Sequence, residues 1–255
     1  MSWPEAVAIL LAGVGAGTIN TVVGSGTLIT FPTLLAFGVP PVTANVSNTV
    51  GLVPGSVSGA IGYRAELAGQ RARLLRLGSA SLLGGTAGAV LLLVLPSAAF
   101  DTIVPVLIGL GVLLVVTGPV ISRRVAVRAE RRGEAPAEHG SWWVWPAVAA
   151  AGIYGGYFGA AQGVLLMAIL GIGIADGIQR HNATKNVLAG LVNAVAAAIF
   201  ILVAQVDWVV AGLIAGGSIV GGQLGATVGR RLPPTVLRAV IVVVGVTALV
   251  VFLTD

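Results

Sequence analysis

Residues 20–27 read Asn-Thr-Val-Val-Gly-Ser-Gly-Thr, and they interrupt an otherwise apolar run near the N-terminus. Residues 157–164, Tyr-Phe-Gly-Ala-Ala-Gln-Gly-Val, form a second interruption of the same kind. Glycine at this density breaks a helix and leaves backbone N–H and C=O groups without helical partners. The fold therefore depends on what surrounds these two breaks.

The surroundings are almost without charge. Charged residues make up 9% of the 255-residue chain and apolar residues 56%, whereas a typical soluble domain has about 25% charged residues. This composition excludes a soluble enzyme, and its hydrophobicity excludes a disordered chain. The apolar runs are long enough for helices of the roughly 20 residues that cross a bilayer. We predict an all-α polytopic membrane protein.

The basic residues are confined to four short windows, as the positive-inside rule describes for cytoplasmic loops. They are Arg64, Arg71, Arg73 and Arg76; Arg123, Arg124, Arg128, Arg131 and Arg132; Arg180 and Lys185; and Arg230, Arg231 and Arg238. Isolated charges elsewhere, such as Asp101 and Asp207, are acidic. We expect cytoplasmic windows and periplasmic or extracellular termini. This distribution does not favour a nucleic-acid partner.

The chain matches itself at a constant offset of 137 residues, which predicts a duplication. Asn45 falls on Asn182, and the glycine cluster of residues 81–89 falls on that of residues 218–226. Equivalent loops carry opposite charge bias: window 64–76 is basic, whereas 201–213 contains only Asp207. Equivalent loops would then lie on opposite sides of the membrane, as in an inverted-topology repeat.

Each half contains five apolar segments. They are 5–23, 27–37, 43–63, 74–95 and 101–121 in the first half, and 142–160, 164–174, 183–203, 209–230 and 236–253 in the second. The second segment of each half is too short as a helix for a membrane core of about 30 Å. Either it completes a broken partner, or the first two segments form a re-entrant hairpin.

The predicted domains are a first transmembrane repeat, residues 1–121, and a second, residues 142–255. Between them, residues 122–141 form a charged linker that we expect to be cytoplasmic. The linker is either partly mobile or a helical arm. The N-terminal residues 1–5 lack a basic residue, so we expect the first apolar segment to remain in the mature protein.

Polar residues at the breaks and at the starts of the third segments are the candidate binding groups. Irregular backbone within a bilayer is tolerated when it faces protein or a wet cavity, and matching breaks in two inverted halves indicate a transport site. Close helix packing through small residues is the alternative interpretation. For the glycine clusters at 81–89 and 218–226, packing is the favoured interpretation.

The third segments are predicted to begin with Asn45-x-Ser47-Asn48 and Asn182-x-Thr184-Lys185-Asn186. These residues are either ordinary N-caps or ligands. Lys185 is the only lysine in the chain. The macrodipole disfavours a cation at a helix start, so we interpret Lys185 as the partner of a bound anion. Alternatively, Lys185 only marks the cytoplasmic end of its helix.

The candidate substrate-binding residues are thus Asn20, Thr21, Ser25, Gly26, Thr27, Asn45, Ser47, Asn48, Tyr157, Gln162, Gly163, Asn182, Thr184, Lys185 and Asn186. No Asp or Glu lies in the middle of a predicted segment, so a carboxylate proton relay is not indicated. His181 is either an interfacial residue or a proton carrier. With no cysteine, metal-ligand cluster or nucleophile–base pair in the sequence, we predict no catalytic residue, metal or cofactor.

At these residues the sequence resembles the TauE/SafE sulfite exporter family, also called the toluene sulfonate uptake permease family, over nearly the whole chain. The resemblance rests on Gly24-Ser25-Gly26 with Pro32, then Ala44–Asn48, and on Gly159 and Gly163 followed by residues 182–185. It implies movement of sulfite, sulfonates, sulfoacetate or related small anions across bacterial inner membranes. Ser25 and Gln162 depart from the glycine more usual in the family, Ile169 stands where the first repeat has Pro32, and Lys185 replaces a small polar residue.

The sequence favours a secondary transporter, in the direction of export, that alternates access to a small anion between its two halves. An anion channel built from the same parts is the alternative, and a membrane accessory subunit is a weaker one. The expected partners are the small anionic substrate, membrane lipid and, in a homo-oligomer, further copies of the chain.

Overall fold

The computed structural model of the protein describes residues 1–131, 141–228, 231 and 234–254. It contains the helices α1 (Trp3–Val22), α2 (Thr27–Ala36), α3 (Pro41–Gly62), α4 (Arg71–Val94), α5 (Ser97–Arg131), α6 (Val144–Tyr157), α7 (Gln162–Gly173), α8 (Ile178–Val203), α9 (Trp208–Thr227) and α10 (Pro234–Thr254). The described part of the chain has no β-strand. Four of its helices, α1, α4, α8 and α9, are long and apolar enough to cross a membrane.

Each of the ten predicted segments corresponds to one helix, but α3 and α8 begin earlier than expected. Pro41 occupies the first position of α3, where its missing N–H is tolerated. Gly177 provides the extended residue before α8. Asn45 and Asn182 are therefore the fifth residues of their helices, and Lys185 lies further inside α8. The interpretation of these polar residues as N-caps was wrong.

The short second helix of each half folds back along the first. In the first half, Gly15 of α1 lies beside Ile29 of α2. In the second half, the backbone N–H of Ser141, just before α6, donates to the carbonyl of Gly173 at the end of α7 (3.2 Å). In both halves, therefore, the first two helices pack side by side as a hairpin.

The linker is helical in its first part, because α5 continues to Arg131. This agrees with the helical-arm interpretation for residues 122–131. Residues 132–140 of the predicted linker lie outside the described residues.

The two halves interlock through α4 and α9. Helix α4 packs against α6 and α8 of the second half, and α9 packs against α1 and α3 of the first half. If α1–α5 correspond in order to α6–α10, then α4 corresponds to α9, α6 to α1 and α8 to α3. The contacts of α4 with α6 and α8 are then equivalent to those of α9 with α1 and α3. The packing of the helices thus repeats the sequence duplication.

Glycines at the crossings bring helix backbones into contact. A Cβ at Gly88 of α4 would lie 2.1 Å from the carbonyl oxygen of Ile153 in α6. A Cβ at Gly221 of α9 would lie 2.1 Å from the carbonyl oxygen of Val14 in α1. The packing role predicted for both glycine clusters is confirmed at these contacts.

The residue pairs in contact give the relative directions of the helices. Along α1 and α9 the contacts advance together, from Leu10 with Gly217 to Thr18 with Gly225, so these helices are parallel. The same test makes α3 parallel to α9, and makes α6 and α8 parallel to α4. Helices α3 and α8 are antiparallel, since Ser56 meets Gly190 while Tyr63 meets Asn182. The hairpins α1–α2 and α6–α7 therefore enter from opposite ends of the molecule.

This packing predicts that two glycine-to-alanine substitutions on α9 have different effects on the stability of the protein. Gly221→Ala should destabilise the protein by about 1–3 kcal/mol, because the new methyl group overlaps the α1 backbone. Gly212→Ala is the matched control, since a Cβ there meets nothing within 4 Å. Helix propensity should leave Gly212→Ala neutral or more stable by up to about 1 kcal/mol. Thermal unfolding in detergent measures both, and equal midpoints would contradict the packing.

Candidate functional site at the two helix breaks

The loops that interrupt the two hairpins meet inside the molecule. Residues 23–26 separate α1 from α2, and residues 158–161 separate α6 from α7. Gly24 and Gly159 have φ values of 92° and 74°, a region that favours glycine. The backbone N–H of Gly163 donates to the carbonyl of Gly24 (3.0 Å), and a Cβ on either glycine would lie 2.3 Å from the Cα of the other. The hairpin tips are in direct contact.

The carbonyl groups left free at the end of α1 are bound by α8. The Lys185 Nζ donates to the carbonyls of Asn20 (2.8 Å) and Thr21 (2.9 Å). The Asn186 side-chain amide donates to the same Thr21 carbonyl (3.2 Å). A helix that ends away from water needs such donors, because its last carbonyls have no partner within the helix.

The end of α6 is completed in the same way by α3. The Asn45 Nδ2 donates to the carbonyl of Tyr157, the last residue of α6 (3.0 Å). Tyr157 is the repeat equivalent of Asn20, at the offset of 137 residues. The third helix of each half therefore binds the broken end of the first helix of the other half.

The reason given for an anion beside Lys185 does not hold. Lys185 was expected at a helix N-terminus, where a cation is unfavourable without an anion. The structure places its ammonium at the C-terminal end of α1, where the macrodipole favours positive charge. Lys185 is completely buried, with 0% of its surface exposed.

Buried polar atoms on four of the predicted residues beside the breaks have no hydrogen-bond partner. They are the Ser25 hydroxyl, the Gln162 Nε2, the Asn45 Oδ1 and the Tyr157 hydroxyl, all on residues predicted from the sequence. Ser25 and Gln162 each adjoin one residue of the Gly24–Gly163 contact. Buried groups of this kind are costly without a partner, so they mark a place where a ligand could bind.

A set of hydrogen-bonded polar side chains lies beside the first break, at the start of α2. The Asn48 Nδ2 donates to the Thr27 hydroxyl (3.3 Å), and the Thr30 hydroxyl donates to the Asn48 Oδ1. At Gly26 a Cβ would lie 2.5 Å from the carbonyl oxygen of Ala16. Neither Gly26 nor Ala161, the residues that precede α2 and α7, caps its helix with a side chain. Backbone carbonyls of the breaks accept from the first N–H groups instead, as Ser25 does from Leu28 and Ala161 from Val164.

Three predicted residues lie outside the region of the breaks. Asn182 donates to the hydroxyl of Tyr63 (2.8 Å), at the end of α3. The Thr184 hydroxyl donates to the Gln70 Oε1 (2.8 Å), just before α4. The Ser47 hydroxyl accepts from the backbone N–H of Asp207 (2.9 Å), before α9. The structure gives these side chains partners that join neighbouring helices.

The helical architecture and the two breaks agree with the family resemblance seen in the sequence. A family model described as sulfite exporter TauE/SafE matches residues 9–252. The chain belongs to the TauE/SafE sulfite exporter family. Its members are membrane transporters, so this protein is a multi-pass membrane transporter and not an enzyme.

Two curated relatives show the same likeness over most of their length. A probable membrane transporter protein of Haemophilus influenzae is 26% identical over 241 residues, which cover 94% of this chain and 91% of the relative. The probable membrane transporter protein YfcA of Escherichia coli K12 is 26% identical over 240 residues, covering 90% and 82%. No solved structure matches the chain.

This TauE/SafE protein also has an ionic cluster that the sequence analysis did not identify. Asp176, between α7 and α8, pairs with Arg73 of α4 (2.6 Å) and with Arg180 of α8 (2.8 Å). Gln70 accepts from Arg73 (2.7 Å). These side chains line a cavity of about 210 Å³ at the start of α4. The four-residue spacing of Asp176 and Arg180 is the sequence signal that could have indicated part of the cluster.

An aromatic cluster, also missed by the sequence analysis, lies against the second break. Phe31 of α2 contacts Phe158 edge to face with a centroid distance of 5.0 Å, and Phe100 of α5 contacts Phe31, Tyr157 and Phe158. Phe100 follows the C-terminal end of α4, whereas the ionic cluster lies at its N-terminal end. The ionic cluster and the aromatic cluster therefore lie at opposite ends of α4.

The ionic cluster predicts a pH-dependent contribution to stability. Burial would raise the Asp176 pKa, but hydrogen bonds from Arg73 and Arg180 outweigh it and lower the pKa from 3.8 to about 2. A carboxyl whose pKa is lower in the folded state stabilises the protein above its ordinary pKa. We expect this contribution at neutral pH and its loss as the pH falls from about 4 to about 2.

Asp176→Asn should therefore lower the free energy of unfolding by about 1–3 kcal/mol at pH 7, because Arg73 loses its carboxylate. The difference from the wild type should shrink toward pH 2. Asp207→Asn is the control, since asparagine caps a helix as well as aspartate does. A difference that stays constant between pH 7 and pH 2 would contradict the assignment.

Proposed function

We propose that this transporter moves small anions such as sulfite, sulfonates or sulfoacetate through a site at the two helix breaks. The observation that carries the proposal is the contact of two hairpin tips from opposite ends of the molecule, with buried unpaired polar groups on both tips. Transporters with inverted repeats bind substrates at such interrupted helices near the midplane.

We infer that the two halves are inverted-topology repeats of one ancestral unit. The sequence match at offset 137 and the exchange of helix contacts between the halves support this inference. The antiparallel directions of α1 and α6 add further support, because repeats of the same topology would place them parallel. With basic loops cytoplasmic, both termini would lie on the periplasmic or extracellular face of a bacterial inner membrane.

The chemistry at the breaks suits a sulfur oxyanion. The Ser25 hydroxyl, the Gln162 Nε2 and the Tyr157 hydroxyl are buried donors that lack an acceptor. Helices α2 and α7 begin at the breaks, so the positive ends of their dipoles lie at this region. The ammonium of Lys185 adds a positive charge at the end of α1. A sulfonate group has three acceptor oxygens for such donors.

We infer that the ionic cluster and the aromatic cluster control access to the breaks from the two sides of the membrane. Opening the ion pairs of Asp176 would expose the breaks to the side where α4 begins, which is the predicted cytoplasmic side. Separation of Phe31, Phe100 and Phe158 would expose them to the opposite side. An inside-negative potential of about 100 mV would drive export of one negative charge with roughly 2.3 kcal/mol.

A counterflow assay in proteoliposomes tests this function. Vesicles loaded with unlabelled sulfoacetate should take up labelled sulfoacetate transiently, with a rate that saturates. Gln162→Ala and Ser25→Ala should each raise the apparent KM about tenfold, as expected for a lost hydrogen bond to a charged ligand.

Ser81→Ala is the matched control, because Ser81 also carries a buried hydroxyl without a partner but lies on α4. Its KM should equal that of the wild type. Equal effects of Ser25→Ala and Ser81→Ala would contradict the site. Flux that never saturates and shows no counterflow would indicate an anion channel instead.

A further inference from the structure

Lys185 is a buried cation without an acidic partner. Its ammonium forms no ion pair within the described residues, and Asp176 pairs with arginines in the separate ionic cluster. The Lys185 Nζ instead donates to the backbone carbonyls of Asn20 and Thr21. Burial of an ammonium costs far more free energy than burial of a neutral amide, so its presence needs an explanation.

The repeat supplies an internal comparison. At the equivalent end of α6, the carbonyl of Tyr157 is bound by the neutral side-chain amide of Asn45 (3.0 Å). Asn186 likewise binds the Thr21 carbonyl through an amide (3.2 Å). The free carbonyls of a broken helix therefore require N–H donors, and an amide is sufficient. A neutral donor would therefore suffice at the end of α1, and the choice of a lysine there calls for a further explanation.

The carbonyl oxygens at the end of a broken helix form a typical cation site. They carry the negative end of the helix macrodipole, and in transporters with discontinuous helices such ends coordinate coupling cations. The Asn20 and Thr21 carbonyls both point at one position, and the ammonium of Lys185 lies at that position, 2.8 and 2.9 Å from the two oxygens.

We propose that Lys185 is a tethered cation, which permanently fills a monovalent-cation site formed by the C-terminal carbonyls of α1. The protein then needs no dissolved Na⁺ or K⁺ at this position, and removal of the ammonium uncovers a site for one. The consequence for transport, a flux independent of these cations, rests on the proposed function. The cation site itself does not.

The Lys185 ammonium lies at the end of α1, and therefore next to the first break. Thr21 lies at the end of α1, four residues before Ser25, whose hydroxyl is unpaired. A fixed positive charge here favours an anion at the breaks throughout the cycle. A dissolved cation would have to bind again in every cycle.

Thermal unfolding without substrate tests the proposal. Midpoints are compared in NaCl, KCl and choline chloride at equal ionic strength. The wild type should unfold at the same temperature in all three salts. Lys185→Ala should be less stable in choline and gain at least about 3 °C in NaCl or KCl, because a ligand that binds the folded state raises the midpoint.

Two variants serve as matched controls. Lys185→Arg keeps the charge and should show no cation response. Asn182→Ala removes a neutral donor one turn earlier on the same helix, which contacts Tyr63 rather than the end of α1. It should also show no cation response. Lys185→Gln provides a second neutral variant, with an amide donor that supports folding.

A wild-type midpoint that rises with Na⁺ or K⁺ would overturn the proposal. So would the absence of a cation response in both Lys185→Ala and Lys185→Gln. A neutral variant that folds only in NaCl or KCl supports the site, whereas failure to fold in every salt counts against it, since an available cation should replace the ammonium. Because no substrate is present, failure of the counterflow assay leaves these outcomes unchanged.

Discussion

The structure depends on how two helices can end within an apolar environment. Helices α1 and α6 stop at glycine-rich breaks, and their last carbonyls have no partner in their own helices. Lys185 and Asn186 of α8 bind the end of α1, and Asn45 of α3 binds the end of α6. Each broken helix is thus completed by the opposite half. This exchange holds the hairpin tips together and leaves other polar groups at the tips available.

The same exchange extends through the helix packing. Close contacts at Gly88 and Gly221 join α4 to α6 and α9 to α1, so each half contributes one helix to the other. The transmembrane repeats predicted as separate domains are interleaved in space. Helices of both halves therefore surround the breaks.

Much of the fold could be predicted because glycine and charge are local signals. The breaks, the ten helices and the packing of the glycine clusters follow from composition and spacing along the chain. The partner of Lys185 could not be predicted in this way, since it lies 165 residues away in the sequence. The N-cap interpretation of Asn45 and Asn182 was wrong because Pro41 and Gly177 start their helices ahead of these polar residues. Asp176 was overlooked because its partner Arg73 is brought near by tertiary packing.

Side-specific labelling of a single cysteine tests the central claim most directly. The chain contains no cysteine, so Ser25→Cys would carry the only thiol, at the contact of the two hairpin tips. In membranes of known orientation, a membrane-impermeant thiol reagent should label this cysteine from either side, and methanesulfonate should slow labelling from both. Labelling from one side only, or at a rate that methanesulfonate does not change, would contradict alternating access to an anion at the breaks.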